Sequence, residues 1–191
     1  MSSTIKWGGL AAVAASALFI LSAIVNQASP VEQRYDSTSY LYHAVSLAAY
    51  IGVIVAVLGI HALHKGRPRY GRLGIAGTVL TIAGYAVIAV IRIISMVQGQ
   101  SSLLTIRIAG AGLVLIGSVL LGVIILRARL LPWWCGVLLI VAFPLGDVAN
   151  EIFSSAENLL LALLWGSVGV ALLSRRQGAG EGVAAEPASA G

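Results

Sequence analysis

Apolar residues run along this chain in six long blocks, at roughly residues 7–27, 40–63, 72–97, 103–126, 131–149 and 156–174, parted by short polar stretches. A helix rises about 1.5 Å per residue, so about 20 apolar residues cross the hydrocarbon layer of a bilayer. Each block is close to that length. The pattern therefore predicts an all-α polytopic membrane protein, a six-helix transmembrane bundle. The first block holds apolar residues from Trp7 to Val25, longer than the core of a signal peptide, and Asn26–Ser29 make a poor cleavage site. It reads as a retained helix.

Charge orients the bundle. Nine of the twelve Lys and Arg residues fall on one side of the six blocks: Lys6, the loop cations Lys65, Arg67, Arg69 and Arg72, then Arg127, Arg129, Arg175 and Arg176. Five of the seven acids, Glu32, Asp36, Asp147, Glu151 and Glu157, fall on the other side with Arg34. Cytoplasmic loops collect Lys and Arg, so both termini are expected inside, N-in and C-in. A five-helix count would put a basic cluster outside. Trp7, Tyr70, Trp133 and Trp134 are expected at the inner interface, and Tyr35, Tyr40 and Tyr42 at the outer one. Pro132 suits the first turn of the fifth helix, where its missing N–H costs nothing.

Composition narrows the class further. The 191 residues are 59% hydrophobic and 10% charged, with a mean hydropathy of +0.96, whereas soluble domains carry about 25% charged residues. Residues 1–176 read as one transmembrane domain and 177–191, rich in Gly, Ala and Glu, as a disordered cytoplasmic tail. The net charge of +5 arises from helix ends, so the partner it implies is the lipid bilayer and not nucleic acid.

Small residues mark where such helices meet, because lipid gives apolar faces no reason to associate. Gly8, Ala12, Ala15, Phe19, Ser22, Ala23 and Asn26 share a face of the first helix. On the third, Gly74, Gly77, Thr78, Thr81, Gly84 and Tyr85 form a stripe that continues to Ile88, Arg92 and Ser95. On the fourth, Arg107, Gly110, Val114, Gly117 and Leu121 repeat it. Arg92 and Arg107 are the only charges inside an apolar run, and both are expected to point into the bundle. Arg92 precedes Gln98 by six residues and Arg107 follows Ser102 by five, a depth of roughly 7–9 Å at the helical rise.

An ionised side chain in a membrane costs at least about 2.5–3.5 kcal/mol and usually faces a partner or a cavity. Asp147, Asn150, Glu151, Glu157, Asn158 and His43 lie at the depth of the two arginines. The expected site is a polar pocket open to the outside, with Arg92, Arg107, Asp147 and Glu151 as its charged core. Asn150 lies at the same level, His43 and Tyr50 line a wall, and Tyr85 and Trp165 lie beneath. Asp147, Glu151 and His43 are the candidate acids or bases. Three plainer readings stand beside this: the arginines snorkel to the interface, the charges merely tie helices together, and Glu157 closes a capping box in Ser154-Ser155-Ala156-Glu157. Pro144-Leu145-Gly146, just before Asp147, reads either as a break lining a cavity or as the ordinary helix end.

Other chemistry is sparse. Cys135 is the single cysteine and reads as a packed thiol. His61 and His64 are i,i+3 neighbours without nearby acids, so interfacial solvation is expected there and no metal site. His43 and His61 lie at opposite ends of one helix, which excludes bis-histidine haem ligation within the chain. No Walker loop, dinucleotide fingerprint, HExxH, CxxC or GxSxG occurs, and no cofactor is expected.

The stretches Ala62–Gly74, Leu126–Gly136 and Leu163–Gly166 resemble those of small six-span bacterial membrane proteins catalogued only as domains of unknown function. The resemblance is one of pattern, with a basic loop before a Gly-rich helix. It implies a bacterial cytoplasmic membrane and carries no catalytic residues. Three functions fit: a non-catalytic accessory, sensor or assembly subunit with another membrane protein as partner; an intramembrane enzyme using the outer carboxylates on an isoprenoid or lipid; and a small anion or solute transporter. The transporter ranks last because no internal repeat is visible.

Overall fold

The computed structural model describes residues 3–28, 37–67, 70–98, 104–150, 152–153 and 155–174. They form six helices: α1 (Ser3–Ala28), α2 (Ser37–His64), α3 (Gly71–Gln98), α4 (Leu104–Ala128), α5 (Trp133–Asn150) and α6 (Ala156–Ser174). All six are long and apolar enough to span a bilayer. The protein is a multi-pass membrane protein.

Helix ends follow local chemistry. α2 stops before Gly66, whose φ of 84° turns the chain. α5 begins after Pro132, whose carbonyl accepts the Cys135 N–H at 3.0 Å. Pro132 thus stands just ahead of the helix and not in its first turn. Pro144 lies inside α5, which continues to Asn150, so the expected break does not end the helix. Arg175, Arg176 and the 177–191 tail lie outside the described residues, as do Glu32, Arg34, Tyr35, Asp36 and Arg69.

Successive helices run antiparallel and pack as neighbours, and α6 returns to pack along α1, so the bundle closes into a ring. Glycine sets the closest approaches. A Cβ on Gly8 would stand 2.5 Å from the Gly59 Cα, so α1 and α2 touch backbone to backbone. Gly84 faces Val114, Gly117 faces Thr81 and Gly169 faces Val13 in the same manner along α3/α4 and α1/α6. The small-residue face expected on α1 is buried from Gly8 to Ala23. That on α3 is buried from Gly74 to Tyr85.

Hydroxyls add ties across α1. Ser16 donates to the Ala162 carbonyl at 2.7 Å, and Ser22 and Ser46 share a hydrogen bond of 2.9 Å. Four rings meet inside the ring of helices: Phe19 on Tyr50 at 5.8 Å, Tyr50 on Tyr85 at 5.7 Å and Tyr85 on Trp165 at 6.4 Å between centroids. Aromatic pairs of this kind contribute about 0.5–1.5 kcal/mol each beyond burial. Cys135 is fully buried.

The antiparallel ring has two chemically different ends. Lys6, Lys65, Arg67, Arg72, Arg127 and Arg129 are exposed at one, the basic end. Trp7 and Trp133, 64% and 70% exposed, stand beside them, but Tyr70 does not join this belt. Its ring is buried, stacks on His64 at 5.7 Å and meets His61 edge-on.

Candidate functional site

At the end opposite the cations, α2 and α3 bring His43 to Arg92. The Arg92 guanidinium donates to His43 Nδ1 at 3.2 Å and lies 5.1 Å from the centre of the Tyr42 ring, whose face attracts the cation. The Tyr50 hydroxyl lies close enough to the guanidinium for the two to interact. Glu157, in the first turn of α6, is close enough for its charge to act on Arg92, Tyr50 and Tyr85. Gly146 permits this approach, since a Cβ there would stand 3.0 Å from the Glu157 Cα.

The hydrogen bond to His43 has a chemical consequence. Guanidinium has no acceptor, so His43 Nδ1 uses its lone pair on Arg92 and the ring proton sits on Nε2. In that state the imidazole has no free lone pair to take a proton from a substrate. Below, Tyr85 faces the indole of Trp165, although the Trp165 N–H lies outside hydrogen-bond geometry. The Trp165 side chain is fully buried, and its N–H has no partner among the described residues.

Five of the expected residues thus come together: His43, Tyr50, Tyr85, Arg92 and Trp165. Arg107 does not join them. The α3/α4 register, with Gly110 against Val87 and Ile88, puts Arg107 level with Ile91. Yet Thr105 to Ala109 are all exposed, because the first turns of α4 stand clear of the bundle and close packing begins at Gly110. Arg107 therefore faces outward, contrary to the expectation that it points inward, and is placed to snorkel.

Asn150 is exposed and occupied elsewhere: its Oδ1 accepts the Ser155 N–H at 2.8 Å. Ser155 in turn receives a bond from Asn26 at 2.8 Å. Glu151 lies outside the described residues, and of Asp147 only the backbone, within α5, is described. The charged core expected from four residues is represented here by Arg92 alone.

Glu157 and Tyr42, which the sequence reading set at this level but gave to a capping box and an interfacial belt, belong to the site. α6 starts at Ala156 with the Ser155 carbonyl accepting the Leu159 N–H at 3.2 Å, so Ser155 is the N-cap. Glu157 then occupies the second helical position, one short of the capping-box position. The signal available in the sequence was depth: Glu157 lies at the level of Arg92.

The histidine pair at the basic end also departs from expectation. His64 is fully buried and its Nδ1–H donates to the Ile60 carbonyl at 2.8 Å, so it is not solvated. Thr78 donates to the Gly74 carbonyl, hence it must accept from the Tyr70 hydroxyl at 2.6 Å, and Tyr70 must accept from His61 Nδ1–H at 2.8 Å. The chain of donors runs one way, from α2 through Tyr70 into α3. Burial raises the Tyr70 phenol above its ordinary value. No group of three or more His, Cys, Asp or Glu side chains among the described residues could hold a metal.

The chain matches no family model, no curated protein and no solved structure. What fold and site define is a class, a six-span membrane protein with a part-buried polar network centred on Arg92.

Proposed function

We propose that this protein is a non-catalytic accessory, sensor or assembly subunit of a bacterial cytoplasmic membrane, with both termini inside and the Arg92 network near the outer face. The observation that carries the reading is the commitment of the network to itself. Arg92 is shared among His43, Tyr42 and Tyr50, and the His43 lone pair is used within the fold. Where a lipophilic substrate would lie under an intramembrane enzyme's carboxylates, the rings of Tyr50, Tyr85 and Trp165 pack on one another, tilted and edge-on. A network of this kind fixes the relative placement of α2, α3 and α6.

The test combines stability with turnover. Arg92→Met, Glu157→Gln and the double variant are unfolded thermally in mild detergent and incubated separately with a total lipid extract. Removing one partner of this part-buried, charge-assisted network costs about 1.5–3 kcal/mol, and the double variant should cost less than the sum of the singles. Variants that keep wild-type stability but abolish a mass-spectrometric change in the extract would sink the reading in favour of an enzyme. Sidedness is checked by labelling a Lys65→Cys variant in intact cells, where an impermeant reagent should fail to react.

A further inference from the structure

The α2/α3 seam is held differently from its neighbours. Gly52 and Gly59 of α2 face α1, and Gly77 and Gly84 of α3 face α4. Among the described residues no glycine seats α2 against α3 backbone to backbone. Side chains tie the seam at its ends instead. At the basic end the donor chain runs from His61 through Tyr70 to Thr78. At the opposite end Arg92 donates to His43 Nδ1 at 3.2 Å. A seam pinned at one end and tied through Arg92 at the other can hinge.

The Arg92 tie depends on charge. Arginine stays protonated and has no acceptor, so His43 holds it only through the Nδ1 lone pair of a neutral imidazole. A proton on that nitrogen removes the acceptor and sets two cations face to face at a part-buried contact. The elements packed on α2 are α1, α3 and α6. α1 carries no titratable side chain but Lys6, at the basic end, and the other cation of α3, Arg72, is at that end too. α2 itself offers the edge-on ring of Tyr42, 5.5 Å from His43 between centroids, and the Tyr50 hydroxyl near the guanidinium. From α6 the charge of Glu157 acts on Arg92, so the bond that a proton removes is the one to His43.

We propose that the His43–Arg92 contact is an acid-sensitive latch: a proton taken up by His43 parts α2 from α3 at the end opposite the cations, and the protein thereby senses the acidity of the outer medium. The inference rests on the proposed reading for its sidedness and its sensor role. A released histidine titrates near pH of about 6.5. The latched ring takes no proton on Nδ1 and the released ring takes one below that value. The latch is therefore fully present above about pH 6.5 and weakens about tenfold per pH unit beneath it. Between about pH 7.5 and 5 the parted form gains roughly thirtyfold on the closed one, or about 2 kcal/mol. That is comparable with what a hydrogen bond to a charged group contributes, so one proton suffices.

The full chain in nanodiscs carries nitroxide labels at Tyr40→Cys on α2 and Val97→Cys on α3, positions 49% and 79% exposed. Cys135 is buried and stays in place. Electron paramagnetic resonance reads the separation of the labels. Acidification from about pH 7.5 to 5 should raise the longer-distance population about thirtyfold against the shorter, and neutralisation should restore it. His43→Gln keeps an acceptor for Arg92 that does not titrate, so its distance should stay short at both pH values. A distance unchanged by acid in the otherwise unaltered chain, or the same shift in His43→Gln, would overturn the latch. Should His43→Gln not fold, Arg92→Gln removes the facing cation in its stead, and an undiminished acid response there overturns the latch equally. Turnover of lipid by the unaltered protein would sink the non-catalytic reading without moving either distance, so the two failures are told apart.

Discussion

Replacing Gly8 by alanine tests the close α1/α2 packing most directly. The new Cβ would stand 2.5 Å from the Gly59 Cα and 3.1 Å from its nitrogen, where ordinary contact begins at 3.4 Å. The obstacle is backbone, so no rotamer change relieves it. The helices must separate by about 0.9 Å at that point, and strain of this kind costs about 1–3 kcal/mol. Alanine also favours the helix over glycine by about 1 kcal/mol, which offsets part of the loss. Gly112→Ala isolates that gain, because a Cβ there meets nothing within 4 Å. The expected order of stability is Gly112→Ala, wild type, Gly8→Ala, with about 1–3 kcal/mol between the two variants, the strain alone, since the helix gain is common to both. Equilibrium unfolding in detergent and bilayer-mimetic nanodiscs measures it. A Gly8→Ala protein as stable as Gly112→Ala would refute the close backbone contact.

Three further outcomes follow from local geometry. Arg129→Gly relieves a left-handed backbone and should raise stability by about 1 kcal/mol, read as a higher unfolding midpoint. Asn150→Ala strips the Ser155 N–H of its acceptor and should cost about 1–2 kcal/mol, with faster local hydrogen exchange at the α5–α6 turn. The Tyr70 phenol has a raised folded-state pKa, so its contribution is fully present below pH of about 10. It is lost as pH rises through the raised value. Tyr70→Phe should be less stable at neutral pH, yet its melting point should fall less steeply in alkali than that of the wild type.

The six spans were legible because hydrophobic length is a one-dimensional property. The faces of α1 and α3 were legible because glycine and hydroxyl residues recur at helical spacing. Periodicity says which residues share a side, not whether a neighbour covers that side at a given depth. That is why Arg92 and Arg107, both on small-residue stripes, end differently: α2 reaches Arg92, while the first turns of α4 stand alone. Tyr70 was placed in an interfacial belt by its position, but its hydroxyl finds Thr78 and His61 inside the fold. Glu157 shifted from cap to network because one residue of helix start separates the two roles. The contact between α1 and α6 has no local signal at all.

That contact joins the first helix made to the last. Ser16 waits for Ala162, 146 residues later, and Asn26 waits for Ser155, 129 residues later. At about 5–20 residues per second of synthesis, α1 spends roughly 7–30 s in the membrane with its hydroxyl and amide groups lacking their final partners. During that interval α1 and α2 can already associate through Gly8 and Gly59, leaving a half-polar flank open toward an empty position. A nascent chain stalled before α6 therefore displays in the bilayer a surface that the finished protein never shows, and a membrane quality-control factor could tell the two apart by that flank alone.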